Sequence, residues 1–172
     1  ATDDKGYKII YLDGVATNTG VFDAALSSDG ITFKEGGTNF TNSLLVGTDT
    51  TGTLSSADGN TGVGTGVLAA LTTGDDNAAV GLCALNANTT GACNTAIGVG
   101  ALIANTTAAE NTAVGSASML GNITGALNVA VGRCSLRCNT TGSNNTAVGK
   151  GALFANTTAS NNTAVGYLSL AA

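Results

Sequence analysis

The 172-residue sequence contains no histidine, no tryptophan and no proline, and its shortages narrow what it can do. Without histidine, the usual arrangements for acyl transfer and for metal binding lack a central group. No CxxC pair is present, so a zinc site has no support. Charged residues make up 10% of the chain, against roughly 25% in an ordinary globular protein. Much of the surface is therefore expected to be covered by other copies of the chain. The net charge of −5 and the absence of a basic stripe argue against nucleic acid as a partner. No run of about 18 apolar residues is available to span a bilayer, so membrane insertion is not expected. The N-terminal ATDDKGYK lacks the charged-then-apolar pattern of a secretory leader, which leaves a removed leader, or export without one, open.

What is present is unevenly placed. Eight of the eleven acids and three of the six bases precede residue 60, giving 3 − 8 = −5 there and neutrality beyond it. Five of the seven aromatics (Tyr7, Tyr11, Phe22, Phe33, Phe40) fall in the first 42 residues. There YKIIYLDG, GVFDAAL and GITFKEG read as short strands between Gly and Asp turns. Residues 1–42 are expected to form a separate small β module, for attachment or as a neck, followed by a repeat region over 43–172.

Asn60, Asn77, Asn94, Asn111, Asn128, Asn145 and Asn162 each open a unit of 17 residues with no insertion between units. That regularity indicates a repeat architecture. With Asn as place one, place four is always Val or Ile, place five always Gly, and place nine always Leu or Met. Residues 43–59 keep Val46 and Gly47 in register and read as a degenerate first repeat. Gly corners, β-branched Thr pairs and Asn clusters exclude helix. The expected fold is all-β: a β-solenoid of 17-residue coils, with equivalent places stacked about 4.8 Å apart.

Strict alternation of side chains then assigns faces. Places four and nine are expected to line a dry core: Val80, Leu85, Ile97, Leu102, Val114, Met119, Val131, Leu136, Val148, Leu153, Val165 and Leu170. Places seven and eleven should share the inward face, and places six and ten should face outward. Places three and five should face outward as well, so that small residues there admit a neighbouring backbone. The expected interchain positions are Ala96, Gly98, Ala113 and Gly115, together with the apolar Ile103, Leu120 and Phe154. A coil this narrow encloses few large side chains. Burial contributes roughly 2 to 3 kcal/mol for each, against about 1 to 2 kcal/mol of backbone entropy per ordered residue, so one chain alone looks marginal.

The pattern NTAVGxxALxxNTTGxxN resembles the short repeats of bacteriophage tail fibres and of fibre-like trimeric bacterial surface adhesins. It is similar in style to the head repeats of trimeric autotransporter adhesins. The resemblance covers about residues 43–172, and GTNFTNSLLVG just before it has the look of tail-fibre leader sequence. It implies a homotrimer of β-rolls or interwound β-helices, serving as a shaft or receptor-facing stalk on a virion or cell surface, often upstream of a self-cleaving endosialidase-type chaperone. Two departures stand out: four Cys are present, and no chaperone follows. By the resemblance, the chaperone has been cleaved away or the chain is a fragment. The last unit stops at place eleven, and its open strand edge is expected to be covered by further sequence, by trimer neighbours or by end-to-end contact.

Cys83, Cys134 and Cys138 occupy expected inward places and read as buried, reduced and inert thiols. Cys134 and Cys138, four apart on one strand, would lie about 13 Å from each other, too far for a disulfide. Asp75 and Asp76 read as a solvated corner, without the periodic Asp of calcium-binding rolls. The sequons at Asn88, Asn105, Asn122, Asn139 and Asn156 could accept glycans in a eukaryotic secretory route, but Asn and Thr stacked in register read more simply as hydrogen-bond ladders. The expectation is a non-enzymatic fibre or stalk segment for host or surface attachment, with no catalytic residue, cofactor or metal. Its partners would be its own copies, as a homotrimer or higher assembly, and a cell-surface receptor or virion component. The alternatives are a surface-binding solenoid such as an ice-binding protein, or a subunit of an extracellular filament.

Overall fold

Within each unit only places two to four combine two outer residues, mostly β-branched, with a small middle one, and these three residues alone form strand. The computed structural model describes residues 33–37, 40–47 and 51–171. A hairpin of β1 (Phe33–Gly37) and β2 (Phe40–Val46) opens the sheet. One strand per unit follows: β3 (Thr61–Val63), β4 (Ala78–Val80), β5 (Thr95–Ile97), β6 (Thr112–Val114), β7 (Val129–Val131), β8 (Thr146–Val148) and β9 (Thr163–Val165). All nine lie in one sheet in chain order, and β2 to β9 are parallel. Every pairing from β2 onward is offset by 17 residues, as in Ala96 opposite Ala113 and Ile97 opposite Val114. Among the described residues there is no helix. The chain is an all-β solenoid of 17-residue coils.

At its N-terminal end, β2 carries Leu44, Leu45 and Val46 beside Thr61, Gly62 and Val63, in the same 17-residue register as the strands that follow. The hairpin extends the same sheet across the expected boundary between residues 42 and 43. The strands expected in YKIIYLDG and GVFDAAL lie outside the described residues.

The first strand alternates as expected, but in the opposite phase. Its middle residue is buried and its outer two are exposed or half-buried. Val80 and Ile97 are 41% and 43% exposed. Val131, Val148 and Val165 are exposed too, and Val114 is half-buried, so none of these six lines the core. Ala96 and Ala113, expected at an interchain contact, are fully buried inside their own coil. The reason is volume: the space beneath the strand already holds the place-nine side chains and two rows of asparagine, leaving room for a methyl group only. Where Leu45 and Val67 fill it instead, the intervening residue is Gly62, whose Cβ would meet both at 2.5 Å.

Leu85, Leu102, Met119 and Leu136 are fully buried and Leu153 nearly so, forming the ladder expected at place nine. Leu170, expected in the same ladder, is exposed. The backbone carrying this ladder is a pair of turns, not a strand. The N–H of place eight bonds back to the carbonyl of place five, as from Ala101 to Gly98 at 3.2 Å, and that of place twelve to place nine, as from Asn105 to Leu102 at 3.1 Å. The left-handed region is occupied at place nine (Leu102, φ 51°) and at place seven (Cys83, φ 56°). Period two does not hold through such turns, so places eight and nine are buried consecutively, while seven and eleven are mostly half-buried.

Place-five glycines pack backbone on backbone. A Cβ on Gly98, at φ 134°, would meet the carbonyl carbon and oxygen of Gly115 at 2.6 Å. Gly98 and Gly115 therefore serve contact between successive coils of one chain, where a chain-to-chain contact had been expected. Hydrogen bonds between coils continue around the turns, for example Leu102 N–H to the Ser118 carbonyl and Gly100 N–H to that of Leu82.

Candidate functional surface

Two rows of asparagine stiffen the coil stack from within. At place one, the Asn111 Nδ2 donates to Asn94 Oδ1 at 3.3 Å and to the Gly125 carbonyl at 2.9 Å, while its backbone N–H also donates to Asn94 Oδ1 at 3.1 Å. Asn128 repeats both bonds onto Asn111 Oδ1. At place twelve, Asn122 Nδ2 donates to Asn105 Oδ1 at 3.1 Å and to the same Gly125 carbonyl at 2.9 Å. From the coil of Asn77 to that of Asn145 the two ladders therefore meet at one shared carbonyl per coil, as again at Gly142 beneath Asn128 and Asn139. Buried amides satisfied in this way stabilise, whereas unpaired ones would cost about 1 to 3 kcal/mol each. Ser43 caps the first row, its hydroxyl accepting from Asn60 N–H at 2.8 Å. Asn88, Asn105, Asn122 and Asn139 are fully buried, so these sequons cannot take a glycan on the folded chain.

Beside the place-twelve row, Thr89 donates its hydroxyl to the Thr106 carbonyl at 3.0 Å, and Thr72 and Thr140 do the same in their coils. The second Thr of each pair is exposed, forming a column at place fourteen from Thr73 to Thr158.

Reactive side chains are scattered. Cys83, Cys134 and Cys138 are free and half-buried, more open than expected because the turns lift place seven and place eleven toward solvent; Cys93 is exposed and free. Asp75 is used structurally, its Oδ1 accepting from Asp58 N–H at 2.9 Å. Among the described residues no group of three or more His, Cys, Asp or Glu could hold a metal ion, and no helix is long and apolar enough to cross a membrane. The buried Ser118 hydroxyl, which has no partner, faces the coil interior, out of reach of any substrate.

Of the expected apolar interchain positions, Ile103, Leu120 and Phe154 share the place-ten column and are half-buried. Arg137, in the same column, lays its guanidinium over the Phe154 ring at 5.6 Å, and Lys150 covers Tyr167 at place six at 5.4 Å. The long basic side chains thus stack on rings of the following coil. The outer face of β3–β9 is the uncharged surface that also carries aliphatic side chains: mostly Thr at place two, Val or Ile at place four, repeated in seven coils. Alternation predicts such a face but, taken in the wrong phase, assigns it to Ala and Gly. The missed signal is the preference of place four for β-branched residues and of place nine for Leu or Met. Comparison with protein-family models, curated proteins and solved structures finds no match.

Proposed function

We propose that this chain is a non-enzymatic shaft or stalk segment of an attachment fibre, of the phage tail-fibre or trimeric surface-adhesin kind. In that role it stands on a virion or cell surface and assembles with its own copies as a homotrimer. One observation carries the reading: an unbroken stack in which every coil commits its place-one asparagine to its neighbours. The Asn ladders, the place-thirteen hydroxyls such as those of Thr72, Thr89 and Thr140, and Asp75 all bond from coil to coil, which is what a stiff spacer requires. Contact with a receptor or virion component falls to other parts of the assembly.

Small-angle scattering and electron microscopy test this reading. The expected particle lengthens by about 4.8 Å for each coil added, at constant cross-section, and a length that does not follow the number of coils would sink it. The ice-binding alternative gains from one observation, the regular Thr and Val columns on a flat sheet. Thermal hysteresis by the isolated chain would rank it first.

A further inference from the structure

We propose that the outer face of β3–β9, places two and four, is the surface through which copies of this chain associate, coil against coil; this rests on the self-assembling fibre reading. Strand propensity alone would be met by Thr at both outward places, since Thr, Val and Ile all favour strands. Place two is indeed mostly Thr, yet place four is aliphatic in every one of the seven coils. A solitary solenoid gains nothing from holding a continuous aliphatic ridge in water, because burial is what makes aliphatic surface favourable.

None of the fourteen residues at these two places is charged; places eleven to fifteen are uncharged too, so it is the exposed aliphatic column at place four that sets this face apart. Pitch identifies the occupant. A ridge with one side chain per coil, about 4.8 Å apart, interlocks along its whole length only with a surface of the same spacing, and a second copy presents one. Seven coils of three-residue strands give a face roughly 34 Å long and 10 Å wide, or about 700 Å² for a pair of copies, so flanking residues must join it to reach the roughly 1,000 Å² of a specific interface. Exposed Leu82 and Val99 at place six widen the apolar strip in the early coils.

Sedimentation equilibrium of the intact chain, beside two sets of variants, tests the assignment. One set replaces Ile97, Val131 and Val148 together, by Thr or by Lys; the other places Lys at Thr107 and Thr141 in the exposed place-fourteen column. The expected result is a wild-type mass at least twice the 16.6 kDa of one chain. Association should weaken at least ten-fold in the place-four variants and stay unchanged in the place-fourteen variants. The Thr substitutions preserve shape and strand preference, so they report on the face even if the Lys forms misfold, with circular dichroism confirming the fold. A monomeric wild type, or equal dissociation by both sets, overturns the proposal. So does thermal hysteresis that the place-four variants abolish in a monomeric chain, since the face would then serve ice. A monomeric stack would sink only the interface, whereas a particle whose length does not follow the number of coils would sink the fibre reading itself.

Discussion

Place nine shows how a single torsion selects a residue type. Leu102 sits at φ 51° and Met119 at 46°, both fully buried. Left-handed backbone costs an L-residue about 1 to 2 kcal/mol and is worst for β-branched side chains, which is why no Val or Ile occurs at this place. Leu102→Met should therefore cost about 1 kcal/mol or less, and Leu102→Val about 2 to 3 kcal/mol, although both remain apolar. Chemical denaturation of the two variants checks the order, and equal losses would mean that torsion is not the selector. The neighbouring pair at places three and four gives a second test. Ala113→Val overfills the coil and should cost about 1 to 3 kcal/mol, whereas Val114→Thr, whose side chain points outward, should change unfolding by about 0.5 kcal/mol or less in dilute solution. The thiols should label in the native state, Cys93 first because it is the exposed one; complete inertness of all four would contradict the burial found here.

The asparagine rows act as elements in their own right. Asn111 joins Asn94 below, Asn128 above and the Gly125 carbonyl at its side, so Asn111→Leu strands the amide and backbone N–H groups of Asn128 in a dry interior. About 3 kcal/mol or more should be lost, from at least two orphaned donors at about 1 to 3 kcal/mol each. Hydrogen exchange should accelerate in the coils on either side of the substitution. A variant as stable as the parent would show that the ladder is dispensable. The ladders themselves were legible in the sequence, because identical amides at a fixed spacing of 17 have little choice but to stack. That the two rows share a carbonyl was not, since places one, twelve and fifteen approach one another only after the turns close.

For the whole molecule, register is the governing property. Removing residues 94–110 joins Cys93 to Asn111 and restores every column, so the shortened chain should fold and lose about 4.8 Å of rod length. Removing residues 94–109 takes out 16 instead of 17, so Asn111 follows Asn77 at a spacing of 18 and Glu110 falls in the Asn column, and that chain should fail to fold cooperatively. Scattering and thermal unfolding distinguish the two, and equal tolerance would refute strict stacking. Cation–π pairs such as Arg137 with Phe154 contribute only about 0.5 to 1 kcal/mol at exposed sites, so register outweighs them.

The sequence by itself determined the period, the all-β class, the stacking of coils, the Leu ladder and the asparagine rows, because each follows from a spacing that repeats without interruption. Only the tertiary structure decided which way the strand faces. Hydrophobicity favours Val inside and Ala outside, but a coil already filled by leucines and amides accepts nothing larger than Ala96 or Ala113 beneath its strand. A shift of one residue turns every side chain to the opposite face. The interior volume that settles the choice exists only once the turns at places seven and nine, with their left-handed residues, have brought the far side of the coil beneath the sheet.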